Sequence, residues 1–277
     1  MVSSRDAGGA HPAAREGLLV LHRSVRPALV ALLVAALLSP AYLAVSAAGV
    51  GTTSGPLIRV RSAAMHAGTT STNWSGYGVG GSFAAVTGSW NVPVASPAVG
   101  ATYSSSWIGV DGMANRNLIQ TGTESDDVNG VTQYDAWWEV LPSAEKIITS
   151  LPVQPGDHMS ASITHGAGRR WTIVLSDTTS GRSFSTTRTY RGVGASAEWI
   201  QERPQIGRTL AALAAYGTTT FTGLTANGVN PHLVVADAIS MVDNTGTHVI
   251  SAPSAPSAVG DAFTVAYGAV PPPAPAG

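Results

Sequence analysis

Side-chain alternation over many short segments is the feature that most limits how this chain can fold. From about residue 70 to residue 268, hydroxyl, β-branched and aromatic residues are abundant, and turn-forming Gly, Asn, Asp or Pro recur roughly every ten positions. Successive side chains of a strand point to opposite faces, so such segments form strands with two chemically different faces. The only helix-like run, over 207–217, is brief. The sequence therefore predicts an all-β domain.

Several predicted strands combine an apolar face with an opposite face that carries Trp, Asp, Glu or Gln. In YDAWWEV (134–140) both acids and the first tryptophan fall on one face, and in SAEWI (196–200) Ala197 and Trp199 point away from Glu198. An antiparallel two-sheet sandwich, with one sheet presenting a polar, aromatic-lined surface, explains this pattern better than a sealed barrel. We expect that surface to be the functional site.

The N-terminal region differs from the rest of the chain. His22, Arg23 and Arg26 precede an uncharged run over 28–50 that contains several small residues near its end. This order is typical of a secretory signal peptide, although the run is also long enough to span a bilayer as a retained anchor. We predict a signal peptide, or an N-terminal anchor, over 1–48. In either case the remainder is expected outside the cytoplasm.

The exported part is predicted to contain three sections. Residues 49–70 are rich in Gly, Ser, Thr and Ala and suit a linker or short pro-segment, 71–268 form the β domain, and 269–277 are a Pro-rich tail. The chain has no cysteine, so an exported product must be stabilised by its core and not by disulfides. A sandwich of this size can bury enough surface to do so.

Composition and missing motifs exclude several classes of function. Only 11% of residues are charged and no basic stripe exists, which argues against a nucleic-acid partner. The zinc-peptidase, α/β-hydrolase and P-loop signatures are absent, as is any cysteine nucleophile, and no Ser–His–Asp set can be singled out. GYGVGG (76–81) precedes a strand-like run, so we interpret it as a loop or hairpin. ESDDVNG (124–130) lacks the first and last ligands of a calcium loop and is interpreted as a solvated turn. We expect no metal and no cofactor.

Four segments resemble the glutamic peptidases, family G1 or eqolisins, in the order in which that family carries them. They are SSSWIGVDG (104–112), LIQTGTE (118–124), YDAWWEV (134–140) and SAEWI (196–200). The resemblance covers roughly 70–268 and is specific as a set, whereas any one motif alone is weak. It implies a lectin-like, concanavalin A-type jelly-roll sandwich and an acid-acting endopeptidase. The cysteines of fungal members are missing here, which indicates a different branch.

The resemblance also implies which residues act. The catalytic pair corresponds to Gln120 in LIQTG and Glu198 in AEWI. The residues that match the lining of the family's cleft are Trp107, Asp111, Asp135, Trp137 and Glu139. Alternation independently places these five on the faces opposite the predicted core. The competing interpretation of the two tryptophans is ordinary core packing.

The residue types suit amide hydrolysis without a metal or a covalent intermediate. Glu198 can take a proton from water and then protonate the leaving amine, which is worth on the order of 10² to 10⁴ in rate. Gln120 can hold the water and donate to the oxyanion, worth roughly 3 to 4 kcal/mol. A glutamate with an ordinary pKa of about 4.3 favours action in acid. If Asp135 and Glu139 lie close by, their charge would raise the pKa of a member of this group.

Two other functions are compatible with the same sandwich. One is a secreted carbohydrate-binding module, and the other is a glycosidase that uses two carboxylates such as Glu139 and Glu198. Both leave Gln120 without an essential role. For the peptidase we expect polypeptide substrates, no nucleic-acid partner, no membrane partner after signal cleavage, a monomeric state and an extracellular location.

Overall fold

The computed structural model describes residues 70–276. The predicted signal peptide or anchor (1–48) and all but the last residue of the predicted linker (49–70) lie outside the described residues. Within 70–276 the only helix is a single 3₁₀ turn at Val235–Asp237, and no helix there is long or apolar enough to cross a bilayer. The all-β prediction is confirmed.

Short and medium-length strands make up most of this region. In chain order they are β1 (Thr70–Ser71), β2 (Trp74–Gly80), β3 (Ala85–Asn91), β4 (Ala101–Tyr103), β5 (Ser105–Val110), β6 (Ile119–Val128), β7 (Val131–Val140), β8 (Lys146–Ile147), β9 (His158–His165), β10 (Arg170–Asp177), β11 (Arg182–Thr189), β12 (Ser196–Glu202), β13 (Gln205–Ile206), β14 (Thr209–Leu210), β15 (Ala212–Leu213), β16 (Thr218–Ala226), β17 (Ala238–Val242), β18 (Val249–Pro253) and β19 (Phe263–Tyr267).

One sheet, which we call the site sheet, carries the motif segments. Its antiparallel order is β8-β7-β6-β5-β12-β2-β17. The central position of β12 is a consequence of topology, because its two neighbours, β2 and β5, both come much earlier in the chain. β4 extends the sheet by pairing with β6 and, in parallel, with β15.

The second sheet, which we call the back sheet, has the antiparallel order β11-β10-β9-β3-β16-β19-β18-β17. β17 belongs to both sheets. Its first residues, Ala238 and Ile239, pair with β2, whereas Met241 and Val242 pair with β18. The two layers are therefore joined at one edge, and the predicted two-sheet sandwich is confirmed.

The core lies between the two sheets and follows the predicted alternation. Ala197 and Trp199 of β12 are fully buried there, together with Ile108 of β5 from the same sheet. From the back sheet, Phe263 packs against the ring of Tyr77 with centroids 4.6 Å apart. Full burial of a large apolar side chain is worth about 1.5 to 3 kcal/mol, so this layer can supply the stability of a domain without disulfides.

Two sequence interpretations are corrected by the fold. The expected loop or hairpin at 76–81 is wrong, because those glycines lie mainly in β2, an interior strand of the site sheet. The expected solvated turn at 124–130 is wrong for most of its length, since β6 extends to Val128. Asp127 is fully buried there, accepting hydrogen bonds from the amides of Ala98 at 3.0 Å and Gly130 at 2.9 Å.

The helix-like run over 207–217 does not form a helix, in agreement with the all-β prediction. It contains β14 and β15, and Ala212 and Leu213 pair in parallel with Thr102 and Tyr103 of β4. An isolated helix of this length is marginal in water, so pairing with an existing strand prevails over local helix propensity.

Candidate active site

The register of the site sheet brings the predicted catalytic pair into one line across the strands. Glu198 on β12 lies opposite Gly78 of β2 on one side and Gly109 of β5 on the other. Gly109 in turn lies opposite Gln120 of β6, which lies opposite Glu139 of β7. Residues directly opposite each other project from the same face of a sheet. We call these five residues the Glu198 row.

Glycine separates the two predicted catalytic side chains. Adjacent strands are spaced by about 4.8 Å, so the backbones of Glu198 and Gln120 are about 10 Å apart, with only Gly109 between them. A Cβ atom on Gly109 would lie 2.7 Å from Cζ3 of Trp107 and 3.1 Å from Cδ1 of Leu118. The indole of Trp107 therefore lies over this glycine. The surface between Glu198 and Gln120 consists of the backbone of Gly109 and the edge of the Trp107 ring.

Glu198 is fully buried, and neither of its carboxylate oxygens has a hydrogen-bond partner in the described part of the chain. Its pKa is raised well above the ordinary value, chiefly because burial removes water from the carboxylate. The negative charge of Asp111 raises the pKa further, and the Ser196 hydroxyl opposes the shift. The acidic neighbour that raises the pKa of Glu198 is thus Asp111, a proximity that the sequence did not predict.

Gln120 is fully buried and held by its neighbour in the row. Its Nε2 donates to Oε2 of Glu139 at 2.5 Å, whereas its Oε1 accepts no hydrogen bond from any residue in 70–276. A carboxylate only accepts, so it binds the amide nitrogen and directs the carbonyl oxygen elsewhere. Glu139 therefore determines the orientation of the amide, and one amide oxygen and one N–H remain available for another group.

Asp111 has a structural part in the site. It follows β5 with a positive φ of 70°. Its carboxylate accepts hydrogen bonds from Nδ2 of Asn115 and the amide of Ala195, both at 2.7 Å, from the Tyr190 hydroxyl at 2.7 Å and from the Gly194 amide at 2.9 Å. Four donors use the lone-pair sites of a carboxylate. Asp111 thereby links the loop after β5 to the segment before β12. The predicted contact of Asp111 with substrate stays a prediction.

The two predicted cleft tryptophans are fully buried, but on the site face of the sheet and not between the sheets. Nε1 of Trp107 donates to Oε2 of Glu202 at 2.7 Å, and Nε1 of Trp137 donates to Oγ of Ser105 at 3.1 Å. Trp74 packs edge-on against Trp107 with centroids 5.0 Å apart. The alternation pattern correctly predicted that both tryptophans lie on the face opposite the inter-sheet core. Their full burial is what the core-packing interpretation predicted.

Asp135 lies apart from the row. It is exposed, faces Glu124 across the β6–β7 pair, and stands four residues before Glu139, about 13 Å along the strand. Its pKa is raised by partial desolvation. The structure thus brings Gln120, Glu139 and Glu198 into line and leaves Asp135 at the other end of the same face.

Sequence reasoning missed Glu202, Gly78 and Gly109. Glu202 is fully buried and accepts from Trp107, and its position four residues after Glu198 in a strand was the available signal. The two glycines gave no such signal, because their role depends on which strands lie beside β12.

Among residues 70–276, no group of three or more His, Cys, Asp or Glu side chains is arranged to hold a metal ion.

Comparisons with known proteins agree with this architecture. A model of the Peptidase A4 family matches residues 72–267. Aspergillopepsin-2 of Aspergillus niger is 28% identical over 223 residues, which cover 71% of this chain and 78% of that protein.

Two solved structures are similar in fold. Scytalido-glutamic peptidase with a transition state analog inhibitor aligns with a TM-score of 0.60 at 22% identity, over 72% of this chain and 100% of that one. SCP-B, a member of the eqolisin family in a complex with the tripeptide Ala-Ile-His, aligns at 0.55 and 22% identity with the same coverage.

Proposed function

This chain belongs to the Peptidase A4 family, the glutamic peptidases, and we propose that it hydrolyses polypeptides with Glu198 and Gln120 as its catalytic pair. Family membership makes it a glutamic endopeptidase. The observation that supports the assignment of the pair is the Glu198 row, in which a buried carboxylate and a buried amide project from one face across a single glycine.

The proposed reaction uses a water molecule between the two side chains. Oε1 of Gln120 accepts a hydrogen bond from this water and holds it in place. The Glu198 carboxylate removes a proton from the water, and the water oxygen attacks the carbonyl carbon of the peptide bond. An N–H of Gln120 then donates to the oxyanion of the tetrahedral intermediate. Protonated Glu198 returns its proton to the amide nitrogen, the C–N bond breaks, and a carboxylic acid and an amine result.

The raised pKa of Glu198 has a chemical consequence for this cycle. A carboxylate that is harder to ionise is a stronger base once ionised, and a pKa near the working pH favours both the base step and the acid step. The neutral amide of Gln120 does not titrate in acid, so its donor persists over the whole range. The family resemblance supports activity in acid, and protonation of Glu198 sets the low-pH limit, which its raised pKa moves upward relative to that of an ordinary glutamate.

Polypeptide substrates and an extracellular location are further parts of the proposal. SCP-B binds a tripeptide, which supports a peptide ligand for this site as well. Export is supported by the basic residues and the uncharged run that precede the β domain in the sequence. A monomeric state stays a prediction.

The test is cleavage of acid-denatured protein by the full chain and by two variants, Glu198→Gln and Gln120→Ala. We expect Glu198→Gln to lower kcat about 10² to 10⁴-fold and Gln120→Ala to lower it about 10² to 10³-fold. Gln133→Ala, a partly exposed glutamine on β7, is the matched control and should retain parental activity.

The outcomes separate the candidate functions. Cleavage that persists in both Glu198→Gln and Gln120→Ala would contradict the catalytic pair. No cleavage by the parent, together with retention on a polysaccharide, would favour a binding module. Glycoside hydrolysis that survives Gln120→Ala would favour the two-carboxylate mechanism.

A further inference from the structure

A cavity of about 340 Å³ lies outside the Glu198 row. Its walls come from the turn between β2 and β3, from the hairpin between β9 and β10, and from the segment 190–193. This volume lies at the lower end of the range of small-ligand pockets. None of the functions proposed above uses it.

The floor of the cavity is aromatic. Trp171 and Tyr190 line it and are 4% and 3% exposed, with their rings edge to face at 5.6 Å. The ring of His165 lies 4.9 Å from that of Trp171 and extends the same surface. Because Trp171 and Tyr190 are almost fully buried, a flat or apolar group would contact the small exposed part of these rings and the exposed ring of His165.

Two cationic side chains complete the lining. Arg169 and Arg191 both line the cavity and are exposed, and neither guanidinium has an ion-pair or hydrogen-bond partner within residues 70–276. No Asp or Glu is among the lining residues. A guanidinium presents its N–H donors in a planar fork that matches a carboxylate. The cavity therefore combines an apolar floor with positive charge that has no counter-ion in the described chain.

The cavity approaches the Asp111 carboxylate at Gly192. A Cβ atom on Gly192 would clash with Oδ2 of Asp111 and with the Tyr190 hydroxyl. The Asp111 charge also helps to raise the pKa of Glu198. Inside the cavity no lining residue is acidic, so a carboxylate ligand is attracted to the two arginines.

We propose that this cavity is an accessory binding site for a carboxylate carried next to an aromatic or large apolar group. The ring packs against His165 and the exposed edges of Trp171 and Tyr190, and the carboxylate binds Arg169 and Arg191. A free aromatic acid and the carboxyl terminus of a polypeptide share this chemistry. The proposal does not depend on which residues are catalytic.

Isothermal titration calorimetry of the full chain at pH 5 tests the site with a matched pair of probes, N-acetylphenylalanine and its primary amide. A terminal carboxyl with an ordinary pKa of about 3.3 to 3.7 is ionised at that pH. We expect the acid to bind about tenfold more tightly than the amide, since two exposed charge pairs are each worth a few-fold.

Variants locate the site. The double variant Arg169→Gln/Arg191→Gln should lose the preference for the acid, whereas Arg208→Gln, an exposed arginine outside the lining, should keep it. Equal affinity for acid and amide, no binding of either probe, or an equal loss in Arg208→Gln would overturn the proposal.

An acetylated hexapeptide ending in phenylalanine distinguishes the two sources of the ligand, a free aromatic acid and the carboxyl terminus of a polypeptide. Binding as tight as the small acid assigns the site to chain termini, and weaker binding with the same arginine dependence assigns it to free acids.

Discussion

At the scale of single residues, folding changes the acid–base chemistry of Glu198. Burial raises its pKa, so the folded protein binds this proton more tightly than the unfolded chain, in which a glutamate titrates near 4.3. The stability that this group contributes is therefore present below about pH 4.3 and is lost as the pH rises toward the folded-state pKa.

The sign of this linkage gives a prediction for Glu198→Gln. The variant has no carboxyl to ionise at this position, so its Tm relative to the parent should increase as the pH is raised above the unfolded-state pKa of about 4.3. Scanning calorimetry at several pH values measures the difference. Gln133→Ala on β7 removes neither a titrating group nor a hydrogen bond to a carboxylate, and its Tm difference should be independent of pH. A Glu198→Gln difference that is constant with pH would show that the carboxyl is not desolvated.

A neighbouring residue determines which end of the Gln120 side-chain amide is available to a ligand. The hydrogen bond from its Nε2 to Glu139 leaves the carbonyl oxygen unpaired within 70–276. Without an acceptor beside it, the amide could present either end to a bound water. Glu139 is thus best described as a positioning residue for Gln120.

At the scale of elements, the glycines of β2 and β5 make room for the side chains that we propose as the catalytic pair. Gly78 and Gly109 flank Glu198 on both sides. A Cβ on Gly109 would meet Trp107 and Leu118, neither of which can move freely in a fully packed face. A Cβ on Gly80, further along β2, would meet no atom within 4 Å.

These surroundings give opposite predictions for two alanine substitutions. Gly109→Ala should lower the free energy of unfolding by about 1 to 3 kcal/mol through overpacking and should reduce peptidase activity by displacing Trp107. Gly80→Ala should change stability by no more than about 0.5 kcal/mol and leave activity intact. Denaturant unfolding and a cleavage assay measure both. Equal behaviour of the two variants would mean that β5 tolerates a side chain at this point of the row.

At the scale of the whole molecule, the two sheets are held together by large side chains and not by covalent links. Trp199 is fully buried between them, and its Nε1 donates to the backbone oxygen of Thr87 on the back sheet at 2.7 Å. It neighbours Glu198 in β12, so the strand that carries the proposed base is anchored to the opposite layer.

Replacement of this anchor should therefore be costly. Trp199→Phe removes apolar contact and leaves the Thr87 oxygen without its donor, so we expect a loss of about 2 to 4 kcal/mol in the free energy of unfolding. Trp138→Phe is the matched control, because Trp138 is only partly buried and its ring lies under Arg188 at 4.5 Å. Its loss should be below about 1.5 kcal/mol. Guanidinium titrations of both variants provide the comparison, and equal losses would contradict an anchoring role.

Much of the fold could be predicted because alternation is a local property. A period of two needs only neighbouring residues, so the buried faces of SAEWI and YDAWWEV were assigned correctly from the chain alone. Local propensity misled where tertiary contacts overrode it. Glycines are depleted in strands, yet β2 is an interior strand in which Gly76 leaves space for the backbone of β12 and Gly78 leaves space for the side chains of Met113 and Glu198.

The sequence by itself determined the all-β class, the two-faced strands and the motif set that marks the family. Only the tertiary structure decided that Glu198 and Gln120 stand one glycine apart, that Glu139 orients the amide and that Asp111 is the acid acting on Glu198. The reason is physical. Strand faces follow from the geometry of consecutive residues, whereas register, burial and charge proximity depend on strands that are distant in the chain and meet only when the sheets form.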